Sequence, residues 1–395
     1  NLNAAKDKVA TTSVMLACGA QNSNGFSETD VSLVKGMSIN ATNFLRLLQL
    51  PNGAIRQSLN SNQVFVRDLS LATIALLLAN QTKEASNGVR FLLSLPQGSS
   101  YYSSAPAYAE SPSPDAWFQE YSTNGSVLEK SLRGEDQGMA LFALASYFKA
   151  TGNITMISAN WAEIQSSANF ILYLQNTPGV GRSSDGLYRH GDNWQDTRRE
   201  NTNSTTGTSI YWPYWPEFYQ WEEENMRMIM GLKGAVLLAT TLGYKSDAIS
   251  WNNSIKIALK GLHNETVYNK YETFDYFGSV LWGLQSNLTE ANGLLSRMPR
   301  DLFTQYGIKD LPWGSSVGSA DTIDYMTALV RIGNYSEASK YLHIIASKLT
   351  STDGGFYDAL TLSGTQIGPE YSYAASRFVY FESVALNVNC NLISF

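Results

Sequence analysis

The stretch VFVRDLSLATIALLL, residues 64–78, decides the fold. From Leu69 onward it is apolar almost all round, and its charges, Arg67 and Asp68, stand together at its start. A helix that is apolar on every side is buried on every side. The segment therefore predicts an inner helix with only its charged end near a surface. RGEDQGMALFALASYF, residues 133–148, repeats the design, with Arg133, Glu135 and Asp136 ahead of an apolar run.

One-sided helical segments lie between these apolar ones. In residues 246–262, Ile255, Ala258, Leu259 and Leu262 share one face, and in 335–349 Ala338, Leu342, Ile345 and Leu349 do. Read along the whole chain, the pattern predicts roughly twelve helices in six pairs, with little strand. Several even-numbered helices are the more apolar and open with charged or aromatic residues, whereas several odd-numbered ones are amphipathic. A ring of six hairpins explains the alternation, with inner helices enclosed, outer helices half exposed and the inner N-termini at one end. The expected fold class is all-α, an (α/α)6 toroid with long loops at one rim. Residues 1–27 read as an N-terminal tail or strap, and 28–395 as the toroid domain. The segments 96–132 and 353–370 read as irregular and turn-rich.

Composition narrows the partners. The net charge of −6 argues against nucleic acid, which calls for a basic surface. No apolar run is long enough to span a membrane. Charged residues are only 16% of the chain, and Asn-x-Ser/Thr occurs at Asn40, Asn80, Asn124, Asn153, Asn203, Asn252, Asn264, Asn287 and Asn334. With Asn1 in place of an initiating Met, these features lead us to expect an exported glycoprotein, extracellular or at the cell surface. Cys18 and Cys390 are the chain's two cysteines, one near each end. They fit a disulfide tying the termini together, or two separate buried thiols, and spacing alone does not choose.

Polar residues gather where the inner helices begin. Asp185–Glu200, DGLYRHGDNWQDTRRE, crowds Asp192, Trp194 and Asp196 into a break between helical patterns. Arg67 with Asp68, Glu135 with Asp136, Glu272, Asp321 and Glu370 each stand at or just before an inner-helix start. Any one of these acids is explained by capping a helix N-terminus. Their convergence on one rim favours a carbohydrate site, in which acids bond hydroxyls and aromatic rings cover the apolar face of a sugar. Glycoside cleavage needs two carboxyl groups on opposite sides of the bond; Asp196 and Glu370 would face each other across a closed ring. His190, His263 and His343 are too scattered for a metal site, and neither a nucleophile elbow nor a phosphate loop occurs. No cofactor or metal is expected.

These residues resemble the six-hairpin glycosidases, an (α/α)6 toroid superfamily, and look most like glucoamylases and the glucosidase domain of glycogen debranching enzymes. The likeness runs over about residues 30–388. VFVRDLSLATIALLL is similar to the Trp/Phe-x-x-Arg-Asp segment there, which implies that Arg67 and Asp68 hold the sugar. RGEDQGMALFALASYF looks like their Arg-x-x-Asp-Gly-x-Ala-Leu segment, placing Asp136 at the pocket rim. DGLYRHGDNWQD resembles the segment carrying the general acid, which implies Asp196. GPEYSYAAS resembles the one carrying the base, which implies Glu370. Two departures stand out: Gln195 occupies a position where an acid or Met is usual, and Glu370 lacks the customary following Gln.

The expectation is a secreted, inverting glycoside hydrolase acting on an α-glucan or related oligosaccharide or polysaccharide. Asp196 and Glu370 would be catalytic. Arg67, Asp68, Glu135, Asp136 and Asp192 would bind hydroxyls, and Trp117 and Trp194 would stack on the sugar. The alternative is a non-catalytic glycan-binding or structural protein of the same fold with cell-surface protein partners. A polysaccharide lyase on a similar toroid is a third, weaker reading.

Overall fold

The computed structural model describes residues 25–99, 113–176, 186–188, 222–262, 274–285, 287–309 and 314–395. Cys18, Asp192, Trp194, Asp196, Asn203 and Asn264 lie outside the described residues.

In chain order the helices are α1 (Glu28–Leu48), α2 (Val66–Leu78), α3 (Thr82–Ser94), α4 (Gly134–Thr151), α5 (Ile154–Ala159) and α6 (Trp161–Asn176). They continue with α7 (Glu222–Leu242), α8 (Lys245–Leu262), α9 (Phe274–Leu281), α10 (Leu288–Leu295), α11 (Ser319–Arg331), α12 (Tyr335–Ile344) and α13 (Ser372–Leu386). Helices α2, α4, α7, α9, α11 and α13 pack each against the next, and α13 packs back on α2, closing a ring. Outer helices α3, α6, α8, α10 and α12 each lie against the inner helix before them, and α1 lies against α13. The chain is an (α/α)6 toroid, as the alternation of apolar and one-sided segments predicts.

The inner helices are enclosed because their side chains leave no face for water. Leu69, Phe142, Ile229, Phe277, Met326 and Phe378, one from each inner helix, are all fully buried in a single core. Trp282, just after α9, sits edge-on to Phe142 at 6.1 Å and to Tyr380 at 5.5 Å, so aromatic rings from across the ring meet in its interior. Below them Phe395 packs on Phe142 at 5.3 Å, and Lys149 binds the carbonyls of Asn391 and Ser394. The closest inner approach is α4 on α7, where glycines remove the side chains that would hold the backbones apart. A Cβ on Gly231 would lie 2.2 Å from the Gly138 carbonyl oxygen, and one on Gly138 2.5 Å from that of Arg227.

The irregular segments contain short strands that the sequence pattern does not show. They are β1 (Gln63–Phe65), β2 (Gln97–Gly98), β3 (Ala116–Trp117), β4 (Glu120–Ser122), β5 (Val127–Glu129), β6 (Phe303–Thr304), β7 (Gly307–Ile308), β8 (Ser316–Gly318), β9 (Tyr357–Thr361) and β10 (Gln366–Glu370). Two antiparallel sheets, β1-β4-β5 and β10-β9-β8, stand at the rim. Phe65 pairs with Glu120, Gly318 with Ala359, and Ile367 also with Ala359. Strands β1 and β8 run directly into α2 and α11, and β10 is followed within two residues by α13. The sheets thus fix where three inner helices begin.

Candidate active site

The N-terminus of α2 has no side-chain cap of its own. The cap comes from the neighbouring helix, as the Arg67 backbone N–H donates to Asp136 Oδ1 at 3.1 Å. The Arg67 side chain then donates from Nε to Asp68 Oδ1 at 3.0 Å and from Nη1 to Glu135 Oε1 at 3.3 Å. Arg133 Nη1 lies 3.8 Å from the same Glu135 oxygen, and Arg227 from α7 pairs with the other one. Glu135 and Asp136 are buried, 3% and 1% exposed. They hold Arg67 and the start of α2 from beneath, and the sequence expectation of open hydroxyl binders on the rim is corrected to that extent.

Tyr373, in the first turn of α13, gathers the cations. Arg67, Arg227 and Arg377 lie 4.8, 5.9 and 4.6 Å from its ring centroid. Its hydroxyl accepts from Arg227 Nη2 at 2.6 Å and from Arg377 Nη2. Arg377 Nη1 also lies 3.1 Å from Asp324 Oδ2 of α11. One polar network therefore joins α2, α4, α7, α11 and α13 within the apolar ring. Such groups are tolerated in a core only when they are bonded to one another.

The electrostatics follow from burial and pairing. Burial raises Asp136 well above the ordinary carboxylate range, the charge of Glu135 adds to this, and Arg133 and Arg67 oppose it. Burial likewise pushes Asp324 up to about 6, against the pull of Arg377 and Arg227. Burial works against the charge on Arg67, but Asp68 and Glu135 more than offset it and keep the guanidinium protonated.

A cavity of about 260 Å³ opens above this network, near the lower end of the roughly 300–1,000 Å³ of small-ligand sites. Arg67 and Asp68 form one wall; Ser319 and Ala320 of α11, Tyr371, Tyr373 and Ala374 at the start of α13, Asp358 of β9, and Gln57 form the rest. Arg67 is 25% exposed while Asp68 is only 4% exposed. Asp358 is open to solvent, yet the surrounding protein raises its affinity for a proton through burial. That combination marks a carboxyl in a concave site rather than on a convex surface. Burial raises Tyr371, as do the charges of Asp358 and Asp68, which places both acids near its hydroxyl. Ser319 is 1% exposed, and its hydroxyl has no partner among the described residues.

The cavity brings together Arg67 and Asp68 of the residues named from sequence. Glu370 does not line it; it pairs across the hairpin with Tyr357, and its Cβ packs beside Gly355. Trp117 is fully buried, and its backbone is tied to the Gln137 amide at 3.0 and 2.8 Å. The expectation that it stacks on a sugar is corrected: it is a core residue beneath the rim. Sequence reasoning missed Asp358, Tyr371, Tyr373, Arg227 and Arg377. The two arginines had a visible signal, since each stands next to apolar residues within a largely buried helix, where a cation requires a buried partner.

No protein-family model matches the chain, and no curated protein matches it in sequence. Solved structures do match in shape. A glycosidase in complex with glucose superposes with a TM-score of 0.62 at 12% identity, covering 92% of this chain and 100% of that one. A D-mannose isomerase gives 0.61 at 12%, covering 93% and 99%. A cellobiose 2-epimerase from Bacillus thermoamylovorans gives 0.57 at 10%, covering 89% and 99%. At such identity the likeness is one of fold, and it spans the whole ring: this chain shares its toroid with sugar-processing enzymes of more than one chemistry.

Proposed function

We propose that the chain is a glycoside hydrolase acting on an oligosaccharide or polysaccharide of the α-glucan class, by inversion, outside the cell or at its surface. The observation that carries this reading is the composition of the cavity. Asp68, Asp358, the open edge of Arg67, and the hydroxyls of Ser319 and Tyr371 converge where inner helices begin. Carboxylates and a guanidinium at close quarters suit the paired hydroxyls of a pyranose, and two carboxyl groups are what hydrolysis of a glycosidic bond requires. The toroid shared with a glucose-bound glycosidase is in keeping with it.

The test is release of reducing sugar from a panel of α- and β-glucans, with the anomer of the first product followed by NMR. Turnover of an α-glucan to the β-anomer supports the hydrolase, its substrate class and inversion. A product of retained configuration overturns inversion but leaves the hydrolase. Isomerisation or epimerisation of a free sugar without bond cleavage replaces the hydrolase with the chemistry of the other structural neighbours. Asp196→Asn and Glu370→Gln enter the same panel, because those two residues are the pair that motif resemblance implies.

A further inference from the structure

We propose that Asp358, and not Glu370, is the catalytic base of this cavity. The proposal rests on the hydrolase reading above and names the residue that activates water within it. Both residues belong to the β9–β10 hairpin that precedes the last inner helix, so they compete for one role. Asp358 lines the cavity together with Arg67 and Asp68; Glu370 does not line it.

The backbone explains the difference. Gly368 has φ +75°, a left-handed conformation, and a Cβ there would lie 2.8 Å from that of Asp358. The register between β9 and β10 shifts between Ile367 and Glu370. The hairpin thus has no room for a side chain at 368, and the bare Gly368 backbone lets β10 pass close against Asp358. It carries Glu370 to a position where its Cβ is packed beside Gly355.

A base that works on water must be reachable by water and yet set among groups that hold the sugar. Asp358 meets both conditions, being open to solvent and surrounded by the cavity walls. Its raised proton affinity makes it a stronger base than a free aspartate. In the step, the Asp358 carboxylate takes a proton from water, and the water oxygen bonds to the anomeric carbon. The bond from that carbon to the leaving oxygen breaks with its electron pair on oxygen. The leaving oxygen takes a proton from the second carboxyl group that inversion requires.

The experiment measures kcat and KM for the full chain, Asp358→Asn and Glu370→Gln on the best glycan of the panel and on the matching glycosyl fluoride, with thermal unfolding as a fold check. Asp358→Asn is expected to lower kcat on both substrates by about 10²–10⁴-fold with KM within a few-fold. Glu370→Gln is expected to stay within about threefold. Added azide, which attacks carbon without a base, is expected to restore turnover to Asp358→Asn and give the inverted glycosyl azide. Asp358→Glu keeps the charge and provides the readout if the Asn variant fails to fold. Its acid limb of kcat should move while turnover persists. The other titratable and charged groups facing this position are Arg67, Asp68, Tyr371 and Tyr373. Normal turnover by Asp358→Asn, or loss confined to Glu370→Gln, overturns the assignment while the hydrolase stands. Loss on the glycan with the fluoride spared makes Asp358 the acid, which also overturns it. A wild-type chain that cleaves no glycan overturns the hydrolase reading and this role with it.

Discussion

Asn153, Asn287 and Asn334 are helix N-caps as well as sequon residues. Their side-chain oxygens accept from the backbone N–H of Met156, Glu290 and Glu337 at 3.1, 2.9 and 3.3 Å. Capping uses Oδ1, whereas glycan attachment uses Nδ2, so both roles can be held by one residue. Replacing each Asn by Ala should cost about 1 kcal/mol. Thr155→Ala, Thr289→Ala and Ser336→Ala should remove any glycan and leave the cap, and chemical denaturation with peptide mapping separates the effects. A second residue-scale expectation concerns Asp324. Its folded value is raised from 3.8 to about 6, so it binds a proton more tightly folded than unfolded. Its contribution to stability is complete below about pH 4 and is lost as pH rises through about 6. The stability of the wild-type chain relative to Asp324→Asn should therefore fall across that window by on the order of 3 kcal/mol. A flat difference would mean that the ion pair with Arg377 outweighs burial.

Among the elements, the α4–α7 contact is the least forgiving. Gly138→Ala and Gly231→Ala each drive a methyl group into backbone atoms 2.5 and 2.2 Å away. Each should cost several kcal/mol, at or above the roughly 1–3 kcal/mol of ordinary overpacking, because backbone yields less than a side chain. Gly36→Ala in α1, with nothing within 4 Å of the new methyl, should instead stabilise by about 0.4–1 kcal/mol. Melting temperatures of the three variants settle the contrast. The longer helices were legible because they run far enough to show their period, whereas the six-residue α5 was not separated from α6. VFVRDLSLATIALLL marks α2 as inner, and Ile255, Ala258 and Leu262 are the buried face of α8 as expected. The strands were not legible, because two to five residues are too short to distinguish alternation from a turn-rich loop. For the same reason YDALT within 353–370 did not reveal that Asp358 lies on the cavity side. Which face a hairpin residue takes depends on register, and here register depends on the irregularity between Ile367 and Glu370. Trp117 failed as a sugar platform because an aromatic residue in a polar segment can be the anchor that holds the segment down.

For the whole molecule, the sequence pattern was informative about the ring and not about its seam. Cys390 is disulfide-bonded, and we expect Cys18 as its partner, as the positions of the two near the chain ends suggest. Cys390→Ser should then lower stability by about 2–5 kcal/mol, and the wild type should show a similar fall in reductant. Non-reducing peptide mapping identifies the linked pair.

The ring closes where α13 docks on α2, between segments about 300 residues apart, and the cavity walls come from both sides of that seam. Contacts so distant in sequence are among the last to form, since the loop between them must be ordered first. During synthesis the enclosed faces of the earlier helices have no final cover until the last helix has emerged, a vulnerable interval for aggregation. A chain stopped before Ser372 retains Arg67, Asp68 and Asp358 but lacks Tyr373, Ala374 and the helix on which the ring closes. Refolding should consequently restore helical ellipticity first and ligand binding afterwards, and the lag between the two signals is the lifetime of the open ring.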